Sequence, residues 1–181
     1  MGNPRSIQLE SRGAPISGRF ALTLILVSLG VLLAPVVLAD FSGRVVGVTD
    51  GDTIKVMHNG RAEKIRLYGI DCPEKGQPFG TKAKQFTSQL VFGKEVTVKD
   101  YGLDNIRYKR TLGEIVLHDG RVVNEELLRA GLAWWYRKYV PNRVDLAALE
   151  EGARTAKRGL WADPNPLPPW CWRKRQKRRA C

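Results

Sequence analysis

The sequence predicts an α+β fold, mainly β: a small five-stranded Greek-key barrel carrying three helices, behind an apolar leader. Three observations predict it. Short runs rich in Val, Ile and Thr, broken by Gly and Asp turns, begin at Phe41 and recur five times. Apolar residues take helical spacing in only three windows, one between the third and fourth strands and two after the fifth. At 181 residues the chain has room for one globular domain plus appendages, and it contains no internal repeat.

The first strand, Phe41 to Val48, carries Val45, Val46 and Val48. The Asp50-Gly51-Asp52 turn leads into Thr53–Met57, and Asn59-Gly60 is a hairpin signal before the next strand. Lys64 to Ile70 alternates, with Ile65 and Leu67 on one face and Arg66 on the other, until Cys72-Pro73 stops it. From Gly80 the period changes: Ala83, Phe86, Leu90 and Val91 recur at helical spacing, and Gly93 ends the segment. Glu95–Lys99 and Arg110–Leu117 supply the last two strands. Asn124 is placed to cap a short helix running to Gly131, with Glu125 and Glu126 in its first turn. The third helix spans Arg143 to Arg158, with Val144, Leu149, Ala153 and Ala156 inward and Gly159 as its C-cap. Pro164 to Pro169 reads as an extended linker.

The appendages divide the chain into 1–39, a folded domain over 40–163, and a Pro-rich linker with a basic tail over 164–181. Arg5, Arg12 and Arg19 precede an uncharged apolar run from Phe20 to Ala39, and Val37-Leu38-Ala39 suits a signal cleavage site. A membrane anchor is the alternative, because about twenty apolar residues also span a bilayer. Pro35 and the small Ala39 favour cleavage. Either way the remainder is exported, secreted or periplasmic. The net charge is +12, and Arg173, Lys174, Arg175, Lys177, Arg178 and Arg179 place half of it in the last twelve residues. Such a tail reads as a solvated, sequence-blind contact for anionic polymers or lipid, or as a mere solubility device. Cys72, Cys171 and Cys181 form no C-x-x-C pair, which leaves a zinc or thioredoxin-like site without support. Export would permit a Cys171–Cys181 bridge, which spacing alone does not establish.

The chemistry is concentrated between Val48 and Glu74. Asp50-Gly51-Asp52-Thr53 opens one strand, and the strand carrying Arg66 delivers Asp71 and Glu74 just beyond its end. Hard carboxylate oxygens suit Ca²⁺ or Mg²⁺, and a planar guanidinium suits phosphate. Asp50 is read as the turn residue, whose carboxylate caps its own backbone. Taken alone, Arg66 is as readily a structural ion pair with Asp71 or Glu74.

In order along the chain stand D-G-D-T, I-R-L-Y-G-I-D-C-P-E, R-Y-K-R-T-L-G-E-I and V-V-N-E-E-L-L-R-A-G-L-A. Four such blocks over about Val45 to Trp161 resemble the staphylococcal-type (micrococcal, thermonuclease-like) nuclease family. The resemblance implies an OB-type barrel and a Ca²⁺-dependent phosphodiesterase, a monomer acting on DNA and RNA and leaving 3′-phosphates. By position, it implies Asp52, Asp71 and the backbone carbonyl of Cys72 as metal ligands. Glu74 matches the residue that activates water, and Arg66 and Arg110 match the arginines that grip phosphate. Tyr108 and Tyr139 match tyrosines near the nucleotide pocket. Two departures lie in that pocket: Lys109 stands where the family has glycine, and Arg137 takes another tyrosine's place. Trp134 and Trp135 are read as core before stacking surface. The rival reading is a nucleic-acid-binding module that has lost catalysis, and the intact set of acids and arginines argues against it.

Overall fold

Thr53–His58 (β2) and Arg61–Leu67 (β3) form an antiparallel hairpin, in register from Thr53 opposite Arg66 to His58 opposite Arg61. Asn59 and Gly60 turn it with φ of 48° and 75°, the left-handed pair that a two-residue hairpin loop needs. This computed structural model describes residues 39–104, 109–177 and 180–181. Tyr108 and the apolar run of the leader before Ala39 lie outside the described residues.

Phe41–Asp50 (β1) pairs with β2 on one side and with Glu95–Leu103 (β5) on the other. Thr111–Val116 (β6) runs antiparallel to β5 and parallel to β3, which closes the barrel in the order β1-β2-β3-β6-β5. The expected five-stranded barrel is therefore present. Val45, Ile54, Val56, Ile65, Leu67, Val96, Val98 and Ile115 fill it, each no more than 2 % exposed. Alternation along each strand sends these residues inward and leaves Lys55 and Lys64 in solvent.

Two short strands outside the barrel were not foreseen. Ile70–Asp71 (β4) pairs antiparallel with Trp134–Trp135 (β7), joining the end of the Arg66 strand to the segment after the second helix. The turn between β3 and β4 depends on Gly69, whose φ is 78° and whose missing Cβ would lie 2.8 Å from Leu146 Cδ1.

The three expected helices are Gly80–Val91 (α1), Val123–Arg129 (α2) and Val144–Thr155 (α3). Gly159 is not a simple C-cap, because it opens a 3-10 turn over Gly159–Ala162. Asn124 is not the cap of α2 either; Val122 holds that place. Asn124 is fully buried and acts as a bracket. Its Oδ1 accepts from the Ile115 amide at 3.1 Å, and its Nδ2 donates to the carbonyls of Tyr68 (2.9 Å) and Gly113 (3.3 Å).

The C-terminal tail differs from the expected solvated segment. Pro169–Gln176 forms a fourth helix (α4), with Pro169 at its start, where a missing amide costs nothing. A disulfide joins Cys171 to Cys181. Trp170 packs edge-on against Trp134, with ring centroids 5.6 Å apart, and Trp134 meets Trp161 the same way at 4.4 Å. The tail is docked, although Lys174, Arg175 and Lys177 remain exposed. Trp134 is core, as expected.

Candidate active site

Four local features bring the acids together. The Asp50–Asp52 turn is pressed onto the chain at Cys72: a Cβ on Gly51 would lie 2.7 Å from Ala83 Cβ and 2.8 Å from Cys72 Cβ. Only glycine fits there. The Thr87 hydroxyl fixes the same turn by donating to the Gly51 carbonyl at 2.6 Å. The pairing of Thr53 with Arg66 then sets Arg66 beside Asp52, and β4 carries Asp71 into the same spot.

Asp52 and Asp71 are 1 % and 0 % exposed. The Arg66 guanidinium bridges them, donating from Nη1 to Asp52 Oδ1 and from Nη2 to Asp71 Oδ1, the latter at 2.5 Å. Asp52 also accepts from the Thr53 hydroxyl at 3.2 Å and, through Oδ2, from the Cys72 amide at 2.6 Å. Burial alone would lower the Arg66 pKa; the Asp52 and Asp71 carboxylates outweigh it, and Arg66 stays charged. The Cys72 side chain turns into the core, so its backbone faces the acids. Burial, with Asp52 adding, pushes its thiol well above the usual range and leaves it inert.

Burial pushes the Asp52 pKa from 3.8 up to about 8; Arg66 opposes this, and Asp50 and Asp71 add to it. The cation-free folded protein therefore holds a proton that the unfolded chain has released. Such a group contributes most to stability below its unfolded value of 3.8, and the contribution is lost as pH rises toward about 8. In chelator, the melting temperature of the wild-type protein should fall more steeply between about pH 5 and pH 8 than that of Asp52→Asn. Parallel curves from the two proteins would refute the account of Asp52.

Above the buried pair opens a cleft of about 550 Å³ lined by Asp50, Arg66, Glu74, Asp104, Arg110, Tyr136, Tyr139 and Arg173, with Leu67, Gly69, Ile70 and Leu112. Glu74 is held by its backbone: its amide donates to Gln77 Oε1 at 3.0 Å, and its carbonyl accepts from the Gln77 amide at 3.0 Å. Arg110 reaches across from the start of β6 and pairs with Asp104. Tyr139 is 66 % exposed and meets Tyr136 edge-on, with centroids 4.7 Å apart.

The structure thus assembles Asp52, Arg66, Asp71, Glu74, Arg110 and Tyr139 about one cleft. It does not bring Arg137 there. Arg137 donates to Glu150 at 3.0 Å and lies over the Trp135 ring, drawn by a carboxylate that is only 4 % exposed. Lys109 is also absent from the lining; it is exposed, with φ of 45°, the left-handed conformation a glycine would take more easily. Three polar cleft residues escaped the sequence reading, among them Asp104, the partner of Arg110. Tyr136 is set by the donation of its amide to the Gly69 carbonyl at 2.9 Å, and Arg173 arrives from α4.

A hard divalent cation fits this donor set in kind. Among the described residues, no three His, Cys, Asp or Glu side chains form a ready cage. Asp52 and Asp71 would be its side-chain donors, with backbone carbonyl and water left to complete the shell.

A family model described as "Staphylococcal nuclease homologue" matches residues 64–163, more than half of the chain. This chain belongs to the staphylococcal nuclease family. Relatives in the curated proteins agree. An uncharacterized endonuclease of Escherichia coli is 49 % identical over 142 residues, covering 78 % of this chain and 91 % of its own. A micrococcal nuclease of Shigella flexneri is 40 % identical over 148 residues, 77 % of this chain and 84 % of that protein. A staphylococcal-like nuclease of Arabidopsis thaliana is 43 % identical over 114 residues, 63 % of this chain but 34 % of the plant protein. The family places this chain among nucleases, hydrolases of nucleic acid. The matched span holds Arg66, Asp71, Glu74, Arg110 and Tyr136, and Arg173 lies beyond it.

Proposed function

We propose that this staphylococcal-type nuclease is an exported, Ca²⁺-dependent endonuclease that hydrolyses DNA and RNA with little sequence preference and leaves 3′-phosphates. One observation carries the reading: a buried, arginine-bridged pair of aspartates lies beneath an open cleft lined by a carboxylate, Glu74, and by further guanidiniums. Asp52 and Asp71 would hold the cation, together with the carbonyl of Cys72. When bound, the ion supplies electrostatic stabilisation of the charge that gathers on a phosphoryl oxygen. Glu74 accepts the proton of the attacking water. Arg66 and Arg110 each present two donors in a planar fork to phosphate oxygens and stay charged throughout, a geometry that a lysine ammonium cannot reproduce. Tyr139 offers an exposed ring on which any base can stack, with Tyr136 edge-on beside it, the basis of weak sequence preference. Export rests on the apolar run before Ala39 and on the Cys171–Cys181 bridge, which an oxidising compartment favours.

The experiment incubates the full chain with denatured DNA and with RNA, in Ca²⁺, in Mg²⁺ or in chelator. Loss of both substrates in Ca²⁺ alone is the expected result. Glu74→Gln should slow cleavage about 10²–10⁴-fold, the range of general-base catalysis, with oligonucleotide binding retained. Retardation of nucleic acid without cleavage by the wild-type protein would replace the enzyme reading with that of a binding module.

A further inference from the structure

Helix α4 is fastened to the parts of the site that do the chemistry. The Gln77 side chain, which accepts from the Glu74 amide, donates to the Leu167 carbonyl at 2.6 Å. Trp170 stacks parallel on Tyr136, with centroids 5.4 Å apart and planes 2° from parallel. Cys171 is buried, and its bridge to Cys181 folds the chain end back onto the helix. One turn of helix beyond Trp170, this anchorage delivers the Arg173 guanidinium into the cleft.

There Arg173 donates from Nη1 to Glu74 Oε1 at 2.5 Å and to Asp71 Oδ1 at 3.1 Å, and from Nη2 to Asp71 Oδ2 at 2.7 Å. Its side chain is 37 % exposed, so it also faces the open cleft. Three arginines from three separate elements now share one arrangement. Arg66 rests on Asp52 and Asp71, Arg110 on Asp104, and Arg173 on Asp71 and Glu74. A carboxylate and a phosphodiester present the same pair of oxygens to a guanidinium fork. An incoming phosphate can therefore exchange for the carboxylate at each position.

We propose that Arg173 is a third substrate-binding arginine of this nuclease, gripping a phosphate of the bound strand from a helix outside the matched family span. The proposal rests on the nuclease reading above. It assigns the docked tail a place in substrate binding, distinct from the diffuse charge of Lys174, Arg175 and Lys177, which stay in solvent.

The test compares the full-length wild-type chain with Arg173→Ala and Arg173→Lys, using a single-stranded DNA oligonucleotide. Cleavage in Ca²⁺ gives kcat and KM, and binding in chelator is followed against salt. Arg173→Ala should lose roughly 10- to 100-fold in kcat/KM, on the scale of one lost hydrogen bond to a charged group. Its binding should lose about 0.7 from the slope of log K against log salt, one phosphate contact to a single strand. Arg173→Lys keeps the charge without the fork and should recover the salt slope and part of kcat/KM. If Arg173→Ala does not fold, the lysine variant carries the test alone, with kcat/KM below wild type at an unchanged salt slope. Variants matching wild type in both readouts would overturn the proposal, as would faster cleavage by Arg173→Ala, which would make the arginine an obstruction. A wild-type chain that cleaves nothing sinks the nuclease reading itself.

Discussion

Arg66→Ala should abolish measurable cleavage and destabilise the protein by about 3–5 kcal/mol in chelator, the cost of removing one partner from a buried ion pair. Both effects come from one guanidinium doing two jobs. In the resting protein its two terminal nitrogens hold Asp52 and Asp71, carboxylates with almost no contact with water. Without it, Asp52 keeps only the Cys72 amide and the Thr53 hydroxyl as donors, and Asp71 keeps Arg173 as its one guanidinium partner. During turnover the same fork serves the phosphate. Arg66→Lys separates the roles: an ammonium neutralises the pair in part but cannot span both carboxylates or two phosphate oxygens. It should fold better than Arg66→Ala yet cleave about 10²–10³-fold more slowly than wild type. A cation held by the same aspartates should narrow the stability gap between wild type and Arg66→Ala. Chemical denaturation with and without Ca²⁺, run beside initial rates, checks all three. An alanine variant with wild-type stability and activity would dismiss both roles.

Asn124→Ala should cost about 2–4 kcal/mol, since it removes three hydrogen bonds and leaves the buried Ile115 amide unpaired. For a chain of this size that lowers the melting temperature by roughly 10 °C. Asn124→Asp keeps an acceptor for Ile115 but gives up both donated bonds and buries a charge, so it offers no rescue. The effect reaches the site, because the Tyr68 carbonyl lies between Arg66 and Asp71 in sequence. Specific activity at a temperature where the variant is still folded should fall below wild type. A drop of less than about 1 kcal/mol would mean that water replaces the amide.

Most of the barrel was legible because it depends on local alternation: Ile65 and Leu67 turn inward and Lys64 outward whatever surrounds them. The acids and two arginines were legible because they sit in ordered blocks with fixed spacing. What failed to show was decided by distant partners. Arg173 looks like any cation in a basic run; its role comes from Asp71, 102 residues earlier. Tyr136 stands in a run of aromatic and basic residues, and only its bond to Gly69 selects it for the cleft. Arg137 has the same local credentials, and the buried Glu150 takes it away. Asn124 has the chemistry of a helix cap, and three carbonyl and amide groups from the barrel make it a bracket. Tyr108 lies outside the described residues.

The parallel contact between β3 and β6 sets Ile65 opposite Thr111 and Arg66 opposite Leu112. Hairpins such as β2–β3 can form as soon as their residues exist, but this seam joins segments far apart in the chain, and long-range seams close late. Arg66 and Arg110 flank it. The earliest-formed hairpin thus sets Arg66 beside Asp52 but lacks Arg110, and the hydrolytic centre is complete only with the finished barrel. A half-made molecule carries no blade.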